Sequence, residues 1–159
     1  MLSVVGGVTD AATLCAALLH DTVEDTDTTP ADIETAFGAE IRSIVDEVTD
    51  DKTLLKLDRK RAQVEHAAHI RDEAKLVKLA DKICDIRDVA NSPPAPWPLQ
   101  RRQEYFGWAR AVIDQMRDVN RCRRPYAGWG RIFMPRRPPP ELRRAITRSH
   151  CNARVATVR

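Results

Sequence analysis

Long apolar stretches are missing from this chain of 159 residues, and no run of about 18 apolar residues predicts a membrane-spanning helix. The first residues lack the charged region with which a secretory signal begins. The four cysteines show no Cys-x-x-Cys spacing, so reduced thiols are expected, as suits a cytoplasmic protein. The alternation of apolar and polar residues that is typical of strands is also missing, which favours an all-α fold.

Charge is divided unevenly along the chain. Residues 1–120 carry 15 Lys/Arg and 22 Asp/Glu, whereas residues 121–159 carry 11 Arg and a single acid, Glu141. This asymmetry predicts a domain over residues 1–120 and an Arg/Pro-rich tail over residues 121–159. The tail has too little apolar surface to order itself and is expected to be disordered. Binding of nucleic acid through its charge is the less favoured interpretation.

Helical periodicity and helix-ending residues organise residues 1–120. Thr29 is a plausible N-cap with Pro30 at the first helical position, and Gly38 is placed to end the same helix. Four prolines among residues 93–98 enforce a loop. The pattern predicts six helices, at residues 9–20 with an extension to about 23, 30–37, 39–48, 58–69, 72–90 and 99–120.

Residues 20–27, His-Asp-Thr-Val-Glu-Asp-Thr-Asp, concentrate an imidazole and four carboxylates after an apolar run. On one continuous helix, His20, Asp21, Glu24 and Asp25 would share one side. An adjacent imidazole and carboxylate are mixed N/O ligands suited to a divalent first-row metal. Two further carboxylates one turn on are placed to handle water and protons. The alternative is a solvated helix end, with its histidine at the negative end of the helix dipole.

A second cluster lies in residues 75–88, where apolar residues recur at 76, 79, 80, 83 and 86. This spacing is typical of one buried helical face. Asp81 sits beside that face, so its carboxylate is expected to point inward, where it would need a cation or hydrogen-bond donors. The alternative is a surface carboxylate paired with Lys78 or Lys82.

His20-Asp21, Glu24-Asp25 and Asp81 within Leu-Val-Lys-Leu-Ala-Asp-Lys together resemble the HD-domain hydrolases, and among these the small metazoan SpoT-like enzymes. The resemblance runs from about residue 11 to residue 120 and includes Phe37-Gly38, Glu-Val-Thr-Asp-Asp-Lys-Thr at 47–53, Lys60-Arg61 and Gln-Glu-Tyr-Phe at 103–106. It implies an all-α HD-domain helical bundle and manganese-dependent removal of the 3′-pyrophosphate from ppGpp. Animal members are also linked to removal of the 2′-phosphate of NADPH.

The resemblance implies a role for each candidate residue. His20, Asp21 and Asp81 are expected to bind Mn²⁺, and Glu24 and Asp25 to orient and deprotonate the attacking water. Substrate contacts are expected from Lys52, Lys56, Arg61, Asp85, Arg101 and Tyr105, because several phosphates need compensating cations. Asp85 stands where the family usually has Asn. The alternatives are solvated cations and, for Tyr105, a half-buried core aromatic ring.

The family takes its first metal ligand from a histidine on an upstream helix and holds the nucleotide partly with an upstream basic loop. The four histidines here are His20, His66, His69 and His150, so none precedes His20. The HD domain is therefore expected to be N-terminally truncated, and His66 and His69 are taken as surface residues. A second class of function stays open, a catalytically impaired relative or fragment acting as a non-enzymatic binding or regulatory protein.

Overall fold

The computed structural model describes residues 1–117 and 119, and every regular element within them is helical. The predicted all-α class is thereby confirmed. None of the described helices is long and apolar enough to cross a membrane. The helices are α1 (Ala11–Leu19), α2 (Thr22–Asp25), α3 (Pro30–Phe37), α4 (Ala39–Val48), α5 (Lys56–His66), α6 (Asp72–Asn91) and α7 (Leu99–Asp114).

The main core lies where α1, α4 and α6 pack on one another, with α3 against α4. Ala16 of α1 is completely buried, and its small side chain lets α1 approach its neighbours closely. Ile44 and Val45 of α4 and Val77 of α6 fill the space around it. A second packing region joins α7 to α5 and α6, and it buries Val112.

Local capping explains where the helices begin and end. The Asp10 carboxylate accepts hydrogen bonds from the Thr13 amide at 2.7 Å and the Thr13 hydroxyl at 2.6 Å, which starts α1. Thr29 and Asp32 form a reciprocal capping box at the start of α3. Gly38 has a φ of +89°, a conformation that other residues rarely adopt, and so separates α3 from α4.

Three of the predicted helices have wrong boundaries. The single helix running to about residue 23 is two helices, because the Asp21 carbonyl accepts from the Glu24 and Asp25 amides and begins a new turn. The helix predicted at 58–69 spans Lys56–His66, and the helix predicted to reach 120 ends at Asp114. The predicted disordered tail falls on residues 121–159, outside the described residues, so it and the division at residue 120 stay predictions.

Candidate functional site

The end of α1 places His20 beside the middle of α6. His20 is the C-cap residue of α1, and its Nδ1 lies 3.0 Å from the Ala17 carbonyl oxygen. Because a carbonyl oxygen only accepts, Nδ1 carries the proton of this bond. The other ring nitrogen, Nε2, lies 3.1 Å from Asp21 Oδ2 and 3.6 Å from Asp81 Oδ1. His20 and Asp81 are therefore within the separation of about 5 Å that one shared ion allows.

These three side chains form a set of acceptors that requires a positive charge. With Nδ1 protonated, a neutral His20 presents its Nε2 lone pair to two carboxylate oxygens. A second proton on Nε2 would let the imidazolium donate to Asp81, and this hydrogen bond raises the pKa of His20 against an opposing effect of burial. Burial opposes ionisation of Asp81, but hydrogen bonds from His20 and Lys82 outweigh it and hold the pKa of Asp81 at about 2. Burial raises the pKa of Asp21.

The same donor set fits a divalent first-row ion. Two ligand atoms at about 2.0–2.2 Å from one ion and near a right angle lie roughly 3 Å apart, close to the two observed separations. The Ala17 carbonyl on Nδ1 holds the tautomer whose Nε2 lone pair is free to accept a proton or a metal ion, as is usual for metal-binding histidines. Within residues 1–117 and 119, no three His, Cys, Asp or Glu side chains are grouped so that they could hold a metal ion in their present rotamers. The Asp21 side chain is 61 % exposed and has room to turn.

Glu24 joins these groups although α1 does not continue through it. The short helix α2 carries Glu24 into the same polar cavity, about 90 Å³ in volume, that His20, Asp21 and Asp81 line. Glu24 Oε1 accepts a hydrogen bond of 2.7 Å from the Asp50 amide, and burial raises the pKa of Glu24. His20, Asp21, Glu24 and Asp81 are called the ion cluster below.

Asp25 and Lys52 do not line this cavity, but they lie beside Glu24. Asp25 is 71 % exposed and forms an ion pair of 3.1 Å with Lys52. The Lys52 ammonium also donates to the Glu24 carbonyl. Lys52 is thus engaged with α2, where it neutralises an acid beside the cavity.

Two lysines of α6 flank Asp81 and are almost completely buried. Lys78 is 8 % exposed and Lys82 is 7 % exposed. The Lys82 ammonium lies 2.8 Å from Asp81 Oδ2 and 3.4 Å from Asp85 Oδ2. Burial lowers the pKa of Lys82, but the attraction of Asp81 outweighs burial, and the pKa of Lys82 is raised. For Lys78, burial dominates and lowers the pKa. Buried ammonium groups at this spacing compensate the carboxylates around them.

A larger cleft of about 590 Å³ opens between α5 and α7. Tyr105 lies at its centre, with its ring centroid 5.5 Å from the rings of both Trp97 and Trp108. Its hydroxyl donates to Asp85 Oδ2 at 2.6 Å, and burial raises the pKa of Tyr105. The aromatic and cationic residues that line this cleft are Lys56, Arg59, Lys60, Trp97, Arg101, Tyr105 and Trp108, and it is called the cationic cleft below.

The structure brings four of the six predicted substrate residues to or against the cationic cleft, whereas Lys52, engaged with α2, and Arg61 do not line it. Lys56, Arg101 and Tyr105 line the cleft, and Asp85 bonds to Tyr105. Arg61 does not line it. Its side chain is 76 % exposed and pairs with Asp58 at 3.5 Å. One residue after Lys60 on α5, Arg61 is turned about 100° away from the cleft face.

Sequence reasoning missed the inner wall of the ion cluster. Asp50 lies in the loop after α4, where its carboxylate accepts from Gln63 of α5 and stands 3.8 Å from the Lys78 ammonium. Lys78 and Lys82 carried a usable signal, since the apolar spacing of α6 puts both beside buried positions. Asp50 lies within the 47–53 stretch that carries the resemblance, but its contacts with Gln63 and Lys78 were not predictable, because only tertiary packing brings the loop to α5 and α6.

This fold and site define a class, and the comparison with known families agrees with it. The family description "HD domain" matches residues 1–105, well over half of the chain. The chain belongs to the HD-domain family. Hydrolases of this family are metal-dependent.

Comparison with individual proteins shows similarity to one group within this family. The chain is 58 % identical over 120 residues to a Xenopus tropicalis protein named guanosine-3′,5′-bis(diphosphate) 3′-pyrophosphohydrolase MESH1, covering 76 % of this chain and 67 % of that protein. The human protein of the same name is 56 % identical over 115 residues, covering 72 % and 64 %. The chain therefore spans about two thirds of the length of these relatives.

Solved structures give the same answer. A structure described as "A metazoan ortholog of SpoT hydrolyzes ppGpp and plays a role in starvation responses" superimposes with a TM-score of 0.73 at 49 % identity, covering 76 % of this chain and 67 % of that one. A Listeria monocytogenes structure superimposes with a TM-score of 0.66 at 28 % identity, covering 80 % and 85 %. The helical arrangement is thus that of a known HD-domain group.

Proposed function

We propose that this chain is a manganese-dependent guanosine-3′,5′-bis(diphosphate) 3′-pyrophosphohydrolase. The observation that carries the proposal is the convergence of His20 Nε2 on Asp21 at 3.1 Å and on Asp81 at 3.6 Å, in a cavity that also contains Glu24. The activity for which the MESH1 relatives are named, at 56–58 % identity, supports the choice of substrate. Both observations favour this enzyme over a purely regulatory protein.

His20, Asp21 and Asp81 would hold the manganese ion. When bound, the ion supplies Lewis-acid chemistry, since it polarises a phosphoryl oxygen and makes water more acidic. Two carboxylates and one imidazole suit Mn²⁺, although Zn²⁺ would compete because most N/O sites bind it more tightly. Lys82, 2.8 Å from Asp81, keeps that carboxylate ionised and oriented.

Glu24 is the proposed general base. Its carboxylate is partly buried, its pKa is raised, and the Asp50 amide holds one oxygen at 2.7 Å, which leaves the other free to accept a proton from the attacking water. Asp25, next to Glu24 on α2 and paired with Lys52, is the second residue proposed to orient that water. The reaction transfers the 3′-pyrophosphoryl group to water and leaves the 3′-hydroxyl of GDP, so positioning and charge compensation matter more than covalent chemistry.

The cationic cleft is the proposed nucleotide-binding region. Lys56 and Arg101 can neutralise phosphates, and the rings of Trp97, Tyr105 and Trp108 offer faces on which a purine can stack. A nucleotide bound there would direct its ribose phosphates towards Asp85 and the ion cluster. The 2′-phosphate of NADPH is a second candidate substrate, since it too is a ribose phosphate on a purine nucleotide. The free thiols Cys15 and Cys84 support a cytoplasmic location.

The test is to assay the purified chain with ppGpp and with NADPH, with manganese and with a chelator, and to identify the products. We expect pyrophosphate and GDP from ppGpp only when manganese is present. A second chain carries a family-like N-terminal segment with the expected upstream histidine fused before residue 1. If neither chain turns over either nucleotide, the hydrolase proposal fails and the binding or regulatory class stands.

A further inference from the structure

The position of Glu24 depends on a residue 26 positions later in the chain. The Asp50 amide donates to Glu24 Oε1 at 2.7 Å, and this bond reaches from the loop after α4 across to α2. Glu24 lies on a helix of only four residues, so α2 has little rigidity of its own. The loop that carries residue 50 therefore decides where the Glu24 carboxylate points.

The side chain of Asp50 ties that loop to two further helices. Its carboxylate is 15 % exposed, accepts from Gln63 Nε2 of α5, and has Oδ1 3.8 Å from the Lys78 ammonium of α6. Lys78 also donates to the Val48 carbonyl at 3.3 Å, at the end of α4. Residue 50 is thus held by α4, α5 and α6 at once, and its partner Lys78 is one helical turn before Asp81.

A buried lysine–carboxylate pair such as Lys78–Asp50 adds little to the stability of a fold. Desolvation offsets most of its attraction, and apolar residues of similar size usually stabilise a fold as well or better. Breaking such a pair leaves an uncompensated buried charge, so the pair imposes one geometry rather than adding stability. The geometry imposed here is the direction of the amide that binds Glu24.

We propose that Asp50 is a positioning residue for this hydrolysis and that it acts through Glu24. Its carboxylate, fixed by Gln63 and Lys78, orients its own amide, and the amide in turn holds Glu24 Oε1 so that the other oxygen faces the cavity of the ion cluster. The inference rests on the proposed function for its chemical role. Its geometric content, that the Lys78–Asp50 pair secures the Asp50–Glu24 bond, is testable without turnover.

The first experiment is a double-mutant cycle on the full chain. Asp50→Asn keeps the amide but removes the charge, and we expect it to lower kcat by about 10- to 100-fold, with KM and the manganese Kd within about twofold of the wild type. In a Glu24→Gln background the same change should alter kcat by less than about twofold, because the residue through which it acts is already disabled. Additive losses, or a rise in KM instead, would overturn the proposal. Asp50→Asn/Lys78→Met removes both buried charges and replaces the single variant if that one does not fold.

The second experiment measures hydrogen exchange at the amide of residue 50, with the Thr49 amide, which donates to Val45 O at 3.0 Å, as the internal reference. Lys78→Met should speed exchange at residue 50 by about tenfold and leave residue 49 nearly unchanged, because only the loop is released. The matched control is Lys75→Met, which removes a lysine one turn earlier on α6 whose partner is the exposed Asp72. Unchanged exchange at residue 50 in Lys78→Met would overturn the proposal. A wild type without turnover would refute the proposed function alone, and this measurement would still decide whether the Asp50 pair holds Glu24.

Discussion

The ion cluster and the cationic cleft lie side by side, yet they are built on opposite principles. The ion cluster is a small polar cavity of about 90 Å³ whose lining side chains include four acids, among them Asp81, balanced by buried lysines. The cationic cleft is about 590 Å³, and three aromatic rings make up its centre. The first is shaped to hold a charge in a fixed place, and the second is large enough to admit a nucleotide.

Helix α6 connects the two regions through side chains one turn apart. Lys82 lies between Asp81 and Asp85, and its ammonium is also 5.1 Å from the ring centroid of Trp108 in the cleft. Asp85 in turn accepts from Tyr105. A contiguous set of contacts therefore joins the region proposed for chemistry to the region proposed for recognition. Variants in the ion cluster should lower kcat and leave KM nearly unchanged, whereas variants in the cationic cleft should raise KM and leave kcat nearly unchanged.

The largest effect is expected from Asp81→Ala. The substitution removes the carboxylate that faces both His20 and Lys82, so we expect turnover of ppGpp to fall by more than about 10³-fold. The measurement is the initial rate at saturating manganese and substrate. Asp88→Ala is the matched control on the same helix, because Asp88 is 71 % exposed and pairs only with its neighbour Arg87. Comparable losses in both variants would point to damage to α6 rather than to the ion cluster.

A smaller loss of turnover is expected from Glu24→Ala. Removing a general base costs about 10²–10⁴ in rate, and manganese binding should stay nearly intact because Glu24 acts on water. Initial rates and a manganese titration on the same preparation check both parts. A variant that loses manganese in proportion to its activity would reassign Glu24 from base to ligand.

Changes to the cationic cleft should act on substrate affinity instead. Lys56→Ala and Arg101→Ala each remove a cation from the cleft, and we expect KM for ppGpp to rise by about tenfold with kcat within about threefold. Arg61→Ala is the control on α5, since Arg61 points to solvent and should leave both parameters unchanged. If Arg61→Ala raised KM as much as Lys56→Ala, the substrate would extend beyond the cleft.

The smallest expected effect is on the stability of the folded state and comes from Asp10, the N-cap of α1, which lies outside both regions. Hydrogen bonds from the Thr13 side chain and amide lower the pKa of Asp10, so its charge stabilises the folded state above the ordinary Asp pKa of about 3.9. This contribution is lost as pH falls through the lowered pKa of the folded state. Denaturant midpoints of wild type and Asp10→Asn should therefore differ slightly at neutral pH and converge in acid. A difference that grows in acid would contradict the assigned direction.

Some features of the fold and of the site could be predicted from the sequence, because they depend on local residue patterns. The helix limits at Pro30, Phe37, Ala39 and Val48 follow from local capping chemistry, which the sequence displays directly. The approach of His20 to Asp81 was also foreseeable, because the apolar faces of α1 and α6 have to meet.

The missed features depend on tertiary contacts. The break at His20 and Asp21 divides a pattern that reads as one helix, since a polar residue at that point can begin a new turn as easily as continue the old one. The roles of Asp50 and Gln63 arise only when a loop meets two helices. The exposure of Arg61 follows from the rotation of α5, which the neighbouring cations Lys60 and Arg61 do not reveal.

The central claim is that the ion cluster binds the metal and the cationic cleft does not, and one measurement tests it directly. Manganese titration followed by electron paramagnetic resonance gives the ion's affinity for wild type, Asp81→Ala and Lys56→Ala. We predict that Asp81→Ala weakens manganese binding by more than about 100-fold, whereas Lys56→Ala leaves it within about twofold. Equal binding by wild type and Asp81→Ala would contradict the account, because the ion would then lie outside the cluster formed by His20, Asp21 and Asp81.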